Sequence, residues 1–397
     1  MKLIHTSDWH LGNMLYSHDR ADEFLYLFDC LEEIVKDESP DAFLVSGDIF
    51  DVSSPSAAVS RMFKDRLLRI HSLSPSMSII VTAGNHDSAS RIDIDRNLWR
   101  VGGIHVIGTV RREEGIYDFA DNIIRIGDKG YVAAVPFVNG VFMPRVNEEE
   151  SPQRSFFNAA ALAAMRENTE GLPMVLMAHL SVAGCDRTGH RDPQIGGIDS
   201  VPDDIFPACF DYVALGHIHR RQVFQGGRVA YSGSPLAMGF DEDYKHTVSV
   251  VNVVKGQIPE IRTIEIPPLR RLLTVPPEGA DLKKTLRLLS KIPDDEDIYV
   301  RPYVVQEEDL PADASELAIA KVGEKKCRLC PFKYEKIKAA ADVTLLDGIS
   351  ASEFIESSPV AIAERYFNAL GLSENEISSY LEMITGLCGE IDREKNI

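Results

Sequence analysis

The sequence predicts a layered α/β fold, and three observations predict it. Short apolar runs alternate with amphipathic segments as far as about residue 265. Five of the runs break directly into aspartate, asparagine or histidine as the chain leaves them. The amphipathic segments carry apolar residues at helical spacing, as Leu27, Leu31, Ile34 and Val35 do in the first. Such alternation folds as sheet with helices laid over it, and its functional groups gather at strand C-termini.

The predicted strands are Lys2–Thr6, Ala42–Ser46, Ile79–Thr82, Tyr131–Val135, Met174–Ala178, Tyr212–Leu215 and Arg228–Tyr231. Each is a short apolar run bounded by turn residues. Thr247–Val254 and Glu260–Ile266 read as a hairpin. Helices are predicted over Ala21–Lys36, Ser56–Ser72 and Ser155–Asn168. Ile266-Pro267-Pro268 marks a boundary, and a smaller α/β unit follows it. There Leu269–Val275, Ile298–Val305 and Cys327–Tyr334 read as strands, with helices over Ala280–Leu289 and Ala314–Val322. Residues 339–352 read as a linker. Beyond them lie two helical stripes: Ile362, Tyr366, Phe367 and Leu370, then Ile377, Tyr380, Leu381, Ile384, Leu387, Cys388 and Ile391. Gly371 and Ser373 fit a helix stop and an N-cap between them. Two such short helices do not bury their faces alone, so they pack back on the protein or take a partner. The expected domains are 1–266, 267–338, the linker 339–352 and a helical segment 353–397.

A chain of 397 residues is too long for one ordinary core, which agrees with this division. Its 44% hydrophobic and 26% charged residues belong to a soluble globular protein. No apolar run reaches the length of a membrane span, and the N-terminus lacks the apolar core of a signal peptide, so a cytoplasmic location is expected. The six cysteines are then expected to be reduced, and the lone Cys327-x-x-Cys330 has no second pair at zinc-finger spacing. The net charge of −19 counts weakly against nucleic acid. The charge is uneven, however: residues 269–338 hold 14 Lys+Arg against 13 Asp+Glu, while 341–397 hold 3 against 11. An acidic domain that concentrates metal ligands can still meet a polyanion through its metals.

The strand ends carry the chemistry. Asp8 and His10 follow the first strand, Gly47-Asp48 the second, and Gly84-Asn85-His86-Asp87 the third. His179 follows Met174–Ala178, and Gly216-His217-Ile218-His219 follows Tyr212–Leu215. Alone, each fragment is an ordinary turn or strand end. In order, each after a strand, they form a donor set of two carboxylates, one amide and four imidazoles. Seven such donors without a thiolate are too many for one zinc and suit two divalent ions of the Mn, Fe or Zn type. Asp48 is the natural bridge, since a carboxylate can join ions about 3.5–4 Å apart. The glycines before Asp48, Asn85 and His217 are expected to allow tight turns and to admit a phosphate. His5, His18, His71, His105, His190 and His246 lack this context and read as structural or surface residues.

This ordered set resembles the calcineurin-like metallophosphoesterases, over about residues 1–240. The stretches MKLIHTSDWHLG, SGDIFDVSSPS at 46–56, GNHDS at 84–88, ALGHIHR at 214–220 and SGSPLAMGFDE at 232–242 resemble in particular the SbcD family of bacterial nuclease subunits. The resemblance implies two packed sheets flanked by helices, a small DNA-binding cap after Pro268 and C-terminal helices that hold an SbcC-like ABC-type coiled-coil ATPase. It implies a metal-dependent exonuclease and endonuclease, with two divalent ions, most often Mn2+, acting on DNA ends and hairpins. By the same resemblance, Asp8, His10, Asp48 and His219 hold one metal and Asp48, Asn85, His179 and His217 the other. His86 would lie outside both shells and face the scissile phosphate. Its neighbour Asp87 is expected to orient it. Where archaeal relatives have a histidine that supports the residue matching His86, this sequence has Asp51, which puts a His–His relay in doubt. The resemblance also implies a homodimer joined through helices of the catalytic domain, here Ala21–Lys36 and Ser56–Ser72, within a heterotetramer. Lys283, Lys284, Arg287, Lys291, Lys325, Lys326 and Arg328 are the candidate phosphate contacts of the cap. The alternative on the same fold is a stand-alone phosphodiesterase or nucleotide pyrophosphatase for small molecules, because the metal site alone does not choose the substrate.

Overall fold

The structure is a computed structural model that describes residues 1–140, 143, 151–188, 200–337, 358–369 and 377–385. Two compact units are distinguished: Met1–Leu273 with Asp297–Tyr299, and Thr274–Glu296 with the described residues from Val300 onward.

The first unit holds two six-stranded sheets. The chain runs β1 (Lys2–Thr6), α1 (Ala21–Glu38), β2 (Ala42–Ser46), α2 (Ala57–Leu73), β3 (Ser78–Thr82), α3 (Ala89–Asp93), α4 (Arg96–Val101) and β4 (Ile104–Ile107). It continues through β5 (Arg111–Glu113), β6 (Ile116–Asp118), β7 (Ile123–Ile126), β8 (Gly130–Ala134), α5 (Pro152–Glu167), β9 (Met174–His179) and β10 (Tyr212–Gly216). Then come β11 (Gln222–Phe224), β12 (Val229–Tyr231), β13 (Thr247–Asn252) and β14 (Glu260–Glu265). The first sheet has the order β14-β13-β1-β2-β3-β4 and the second β11-β12-β10-β9-β8-β7. β1 to β4 are mutually parallel, as are β8, β9, β10 and β12.

Alternation along the strands builds the layers. Leu3, Ala42, Leu44 and Ile80 meet Val132, Ala134, Val175, Met177 and Ala214 in a core between the sheets. The residues next to them, such as Ile4, Phe43, Val45 and Val81, face the other way into the core under α1 and α2. The second sheet buries Leu176, Ala178, Val213 and Leu215 against Phe156, Phe157 and Ala160 of α5. Strands buried on both faces read as unbroken apolar runs, which is why the parallel strands are legible in the sequence. The shorter β4 to β7 and β11, and the two short helices α3 and α4, are not. Runs of three to six residues hold too few positions to show a period.

His5 sits inside the core between the sheets, fully buried, with Nδ1 2.8 Å from the Tyr212 hydroxyl and Nε2 3.2 Å from Ser46 Oγ. Burial pushes its pKa down from 6.5 to about 3. The folded protein therefore refuses a proton that the unfolded chain accepts below about pH 6.5. Stability is full above that value and falls as pH drops toward 3, by about 5 kcal/mol in the limit. His5→Gln is expected to flatten the fall of the urea midpoint between pH 6 and 4. An unchanged slope would show that other groups carry the acid sensitivity.

The second unit has a four-stranded sheet. It comprises β15 (Leu272–Ala280), β16 (Tyr299–Gln306), β17 (Arg328–Leu329) and β18 (Lys333–Lys336), with α6 (Leu282–Leu289) and α7 (Ala314–Val322). β15 runs past Pro276 and Pro277, further than the sequence suggests. It is an edge strand, where a missing N–H costs no ladder bond. The single strand expected over Cys327–Tyr334 is instead two, with Pro331 in the gap between them. Cys327 and Cys330 are buried free thiols. Of the C-terminal segment, helices at Pro359–Ala369 and 377–385 are described, and the Phe367 and Tyr380 rings lie 5.4 Å apart. The expected linker, His190, Leu370, Gly371, Ser373, Leu387, Cys388 and Ile391 lie outside the described residues. No helix among the described residues is long and apolar enough to cross a membrane.

Candidate metal centre

All seven predicted donors stand at the C-terminal ends of parallel strands. β1 delivers Asp8 and His10, β2 Asp48, β3 Asn85, β9 His179, and β10 His217 and His219. Four of them hold a left-handed backbone: Asp8 (φ 53°), His10 (φ 46°), Asp48 (φ 48°) and His217 (φ 98°). Such φ values are uncommon outside glycine, and they gather where function over-determines the backbone.

The loops brace one another through backbone N–H groups. His217 N–H donates to Asp8 Oδ1 (2.9 Å) and His86 N–H to Asp48 Oδ1 (2.9 Å). Asp8 N–H and His10 N–H donate to the carbonyls of Gly47 and Asp48. The close approach explains two of the glycines. A Cβ at Gly47 would stand 2.1 Å from His179 Nδ1, and one at Gly84 would stand 2.1 Å from Asp48 Oδ1. The space these glycines free is filled by the neighbouring loop, not left for a phosphate as the sequence suggests.

Among the described residues, three groupings of side chains lie close enough to hold an ion: Asp8, His10 and His219; His10, Asp48 and His86; and Asp48, His179 and His217. Asp48 belongs to two of them. His10 Nε2 and His219 Nε2 face each other at 3.2 Å. His219 Nδ1 is 3.1 Å from Glu242 Oε1, so its proton points there and Nε2 keeps a lone pair. His179 Nδ1 donates to the Ser46 carbonyl (2.9 Å), while its Nε2 meets Asp48 Oδ2 at 3.2 Å and Asn85 Oδ1 at 2.9 Å. Asn85 Oδ1 is also 3.0 Å from His217 Nδ1. Acceptor atoms converging at these distances need a positive charge among them. The protonation of His179 says the same. Burial pushes its pKa down, yet the Asp48 carboxylate prevails and lifts it to about 9. Burial opposes the charge on Asp48 too, but the imidazoles of His179, His10 and His86 hold its carboxyl well below the usual range. The donor set therefore fits divalent cations, with Asp8, His10, Asp48, His179 and His219 all buried.

His86 is half-buried at the rim, its ring 4.9 Å from that of His10 and edge-on to it. One of its ring nitrogens lies within 4.8 Å of ligand atoms of His10 and Asp48. Its Nδ1 donates to the Asp51 main-chain carbonyl (2.9 Å). The Asp51 side chain accepts from Asn13 Nδ2 (2.9 Å) and lies 3.6 Å from His10 Nδ1. Asp51 thus supports both histidines, one through each end.

Asp87 does not take the role expected of it. Its Oδ2 accepts from the N–H groups of Ile49 and Gly84, and its Oδ1 from that of Phe50. It ties the loop after β2 to the loop after β3, while Asp51 holds His86. Burial and the nearby Asp48 charge push its pKa up to about 6, against those three hydrogen bonds.

Among the cap candidates, Lys283, Lys284 and Arg287 of α6 are exposed and line one open groove of about 900 Å³, with Lys321 and the acids Asp281, Glu308 and Asp309. Lys291 and Lys326 are exposed, and Arg328 is half-buried. Lys325 is a correction: its Nζ donates to the Ile292 carbonyl (2.7 Å) and pairs with Asp294, leaving its side chain 14% exposed. An ammonium bound within its own unit is a poor phosphate contact.

The supporting groups escape a sequence reading. Glu242 and Ser232 bound the quoted stretch 232–242, but nothing in it marks their partners, and the carbonyl of Asp51 carries no signal that a sequence can show. Ser232 Oγ lies 2.7 Å from Ser7 Oγ, which donates to Asp8 Oδ2.

Comparison with known proteins places the chain in a family. A family model described as calcineurin-like phosphoesterase matches residues 1–221. The chain is 35% identical over 311 residues to the SbcD subunit of the nuclease SbcCD from Rhodobacter capsulatus, covering 74% of this chain and 76% of that protein. It is 33% identical over 272 residues to the SbcD subunit from Bacillus subtilis, covering 65% and 67%. Against the SbcD subunit of Escherichia coli K12 the identity is 29% over 285 residues, covering 67% and 68%.

Proposed function

The chain belongs to the calcineurin-like phosphoesterases and, among them, to the SbcD family, and from that membership we propose that it is the metal-dependent nuclease subunit of a DNA end- and hairpin-processing complex. The observation that carries the reading is the convergence of seven carboxylate, amide and imidazole donors from five strand ends, with Asp48 in two of the three groupings. Under it, Asp8, His10, Asp48 and His219 would hold one ion and Asp48, Asn85, His179 and His217 the other, with Mn2+ as the proposed native metal. When bound, such a pair offsets phosphodiester charge and makes hydroxide available from water near neutral pH. The chain's own residues do the rest. The buried carboxylates and imidazoles fix the geometry in which a phosphate oxygen can be held. His86 gives a proton to the leaving alkoxide, and the Asp51 carbonyl holds its ring in place by accepting from Nδ1. Asp87 keeps the loops after β2 and β3 in register.

The proposed partners are double-stranded DNA ends and hairpins, an SbcC-like ABC ATPase bound by the C-terminal helices, and a second copy of this chain in a heterotetramer. Exposed apolar side chains support the dimer: Leu25 on α1, Leu68 on α2, and also Leu98 and Val101 on α4, a helix outside the pair expected from the resemblance. Exposed cations on α6 support DNA contact by the cap.

The test is cleavage of linear and hairpin DNA in Mn2+, with and without the ATPase and ATP, alongside a pull-down of that ATPase. Mn2+-dependent cleavage that falls with salt is expected, together with capture of the ATPase that is lost on deleting residues 341–397. Turnover of small nucleotides alone, indifferent to that deletion, would favour the stand-alone phosphodiesterase.

A further inference from the structure

The segment SGSPLAMGFDE, residues 232–242, is distinctive in the sequence, yet none of its side chains is among the seven donors. In the fold it leaves β12 and wraps the first donor grouping from behind. Ser234 N–H donates to the His219 carbonyl (2.9 Å), and Ser232 reaches Asp8 through Ser7. The segment ends on Glu242, whose side chain is fully buried.

Glu242 faces two donors. Oε2 accepts from Met238 N–H (2.9 Å), and Oε1 stands 3.1 Å from His219 Nδ1. His246 is a further polar neighbour, with Nε2 3.6 Å from Oε2. Its Nδ1 donates to the Ser234 carbonyl (2.9 Å), so that Nε2 carries no proton to offer in the neutral ring. The carboxylate is thus matched to two N–H groups, one of them the imidazole's. An imidazole with its proton on Nδ1 has its lone pair on Nε2, the atom that faces His10 Nε2 at 3.2 Å.

We propose that Glu242 is a positioning residue that fixes the proton of His219 on Nδ1 and so reserves Nε2 for a metal ion shared with Asp8 and His10. The inference rests on the metal reading above and extends it to a residue 23 positions beyond the ligand it serves. A carboxylate is required, not just an acceptor. A glutamine in the same place can satisfy either Met238 N–H or His219 Nδ1–H with its one oxygen. Its NH2 then faces the other donor or forces the imidazole proton onto Nε2, where it blocks the ligand atom. Outer partners of this kind typically change metal affinity 10–100-fold.

The experiment has two arms. The first reads the ring proton of His219 by 15N NMR of histidine-labelled, metal-free protein at pH 8.5. Wild type is expected to carry it on Nδ1, and Glu242→Gln to shift it toward Nε2. The second titrates MnCl2 by calorimetry. Wild type is expected to take up two ions, and Glu242→Gln to lose 10–100-fold in affinity for one of them while the other holds. Wild-type His219 without a proton on Nδ1 overturns the proposal with no variant needed. So does a folded Glu242→Gln that binds both ions as wild type does. Wild type that binds no ion, with His219 nonetheless protonated on Nδ1, overturns the metal reading itself and with it the purpose assigned to Glu242. Glu242→Asp, which keeps two acceptor oxygens, is expected to retain the Nδ1 proton, and its failure to do so in a folded protein also counts against the proposal.

Discussion

His86→Ala is expected to keep its metal and lose about 10²–10⁴-fold in turnover of DNA, the span typical of a general acid. The seven proposed donors remain when this ring is removed, and its Nδ1 is bound to the Asp51 carbonyl. The leaving group gives the sharper test. A DNA alkoxide needs a proton as the P–O bond breaks, whereas p-nitrophenolate leaves well without one. The loss on bis-p-nitrophenyl phosphate is therefore expected to be much smaller than the loss on DNA. Metal content and both rates from one preparation decide the matter. Equal losses on the two substrates, or loss of metal with the ring, would remove His86 from the acid role. The second outcome would assign it to the grouping it forms with His10 and Asp48.

Asp48→Asn is expected to lose both ions and to turn over no faster than wild type stripped by chelator. Asp48 occurs in two of the three donor groupings, and its carboxylate lies within 3.8 Å of His10 and 3.2 Å of His179. Asparagine keeps the shape and the acceptor for His86 N–H, so the change is one of charge. The metal-free proteins should differ as well. In wild type the His179 pKa is lifted from 6.5 to about 9 by Asp48. The pair's stabilisation is fully present below pH 6.5 and disappears as pH rises through 9, about 3 kcal/mol in the limit. Chelated Asp48→Asn is then less stable than chelated wild type at pH 6, and the gap closes above pH 9. Denaturant midpoints across that range would show it. A gap that widens with pH would mean that the pair is not charged as described.

Much of this is legible in the sequence for a physical reason. Strands buried on both faces must be apolar throughout, so their ends show where polar residues resume, and the polar residues there include the proposed donors. Side-chain direction is less legible. Asp87 follows His86 and is expected to orient it, but neighbours in sequence need not point together. Its carboxylate turns instead to the free N–H groups of Ile49, Phe50 and Gly84. The support of His86 falls to a backbone carbonyl, which every residue has and none advertises. Lys325 counts among the cap's cations by composition, but Asp294 claims it. Glu242 stands in a recognisable motif without an evident task, because its partner lies 23 residues earlier and only folding brings the two together.

The donors come from both sheets, and this has a consequence for the chain as it is made. His10 and His219 share a grouping but are 209 positions apart. At 5–20 residues per second, roughly 10–40 s pass on the ribosome between one and the other. During that interval the first strands can pair and bury their apolar faces; the grouping of His10, Asp48 and His86 can form early, whereas the other two wait for His179, His217 and His219. Under the proposed assignment, neither ion's full donor set exists on a nascent copy until His179, His217 and His219 have been made. It is completed late, when β9 and β10 dock and the loops after them meet Asp48.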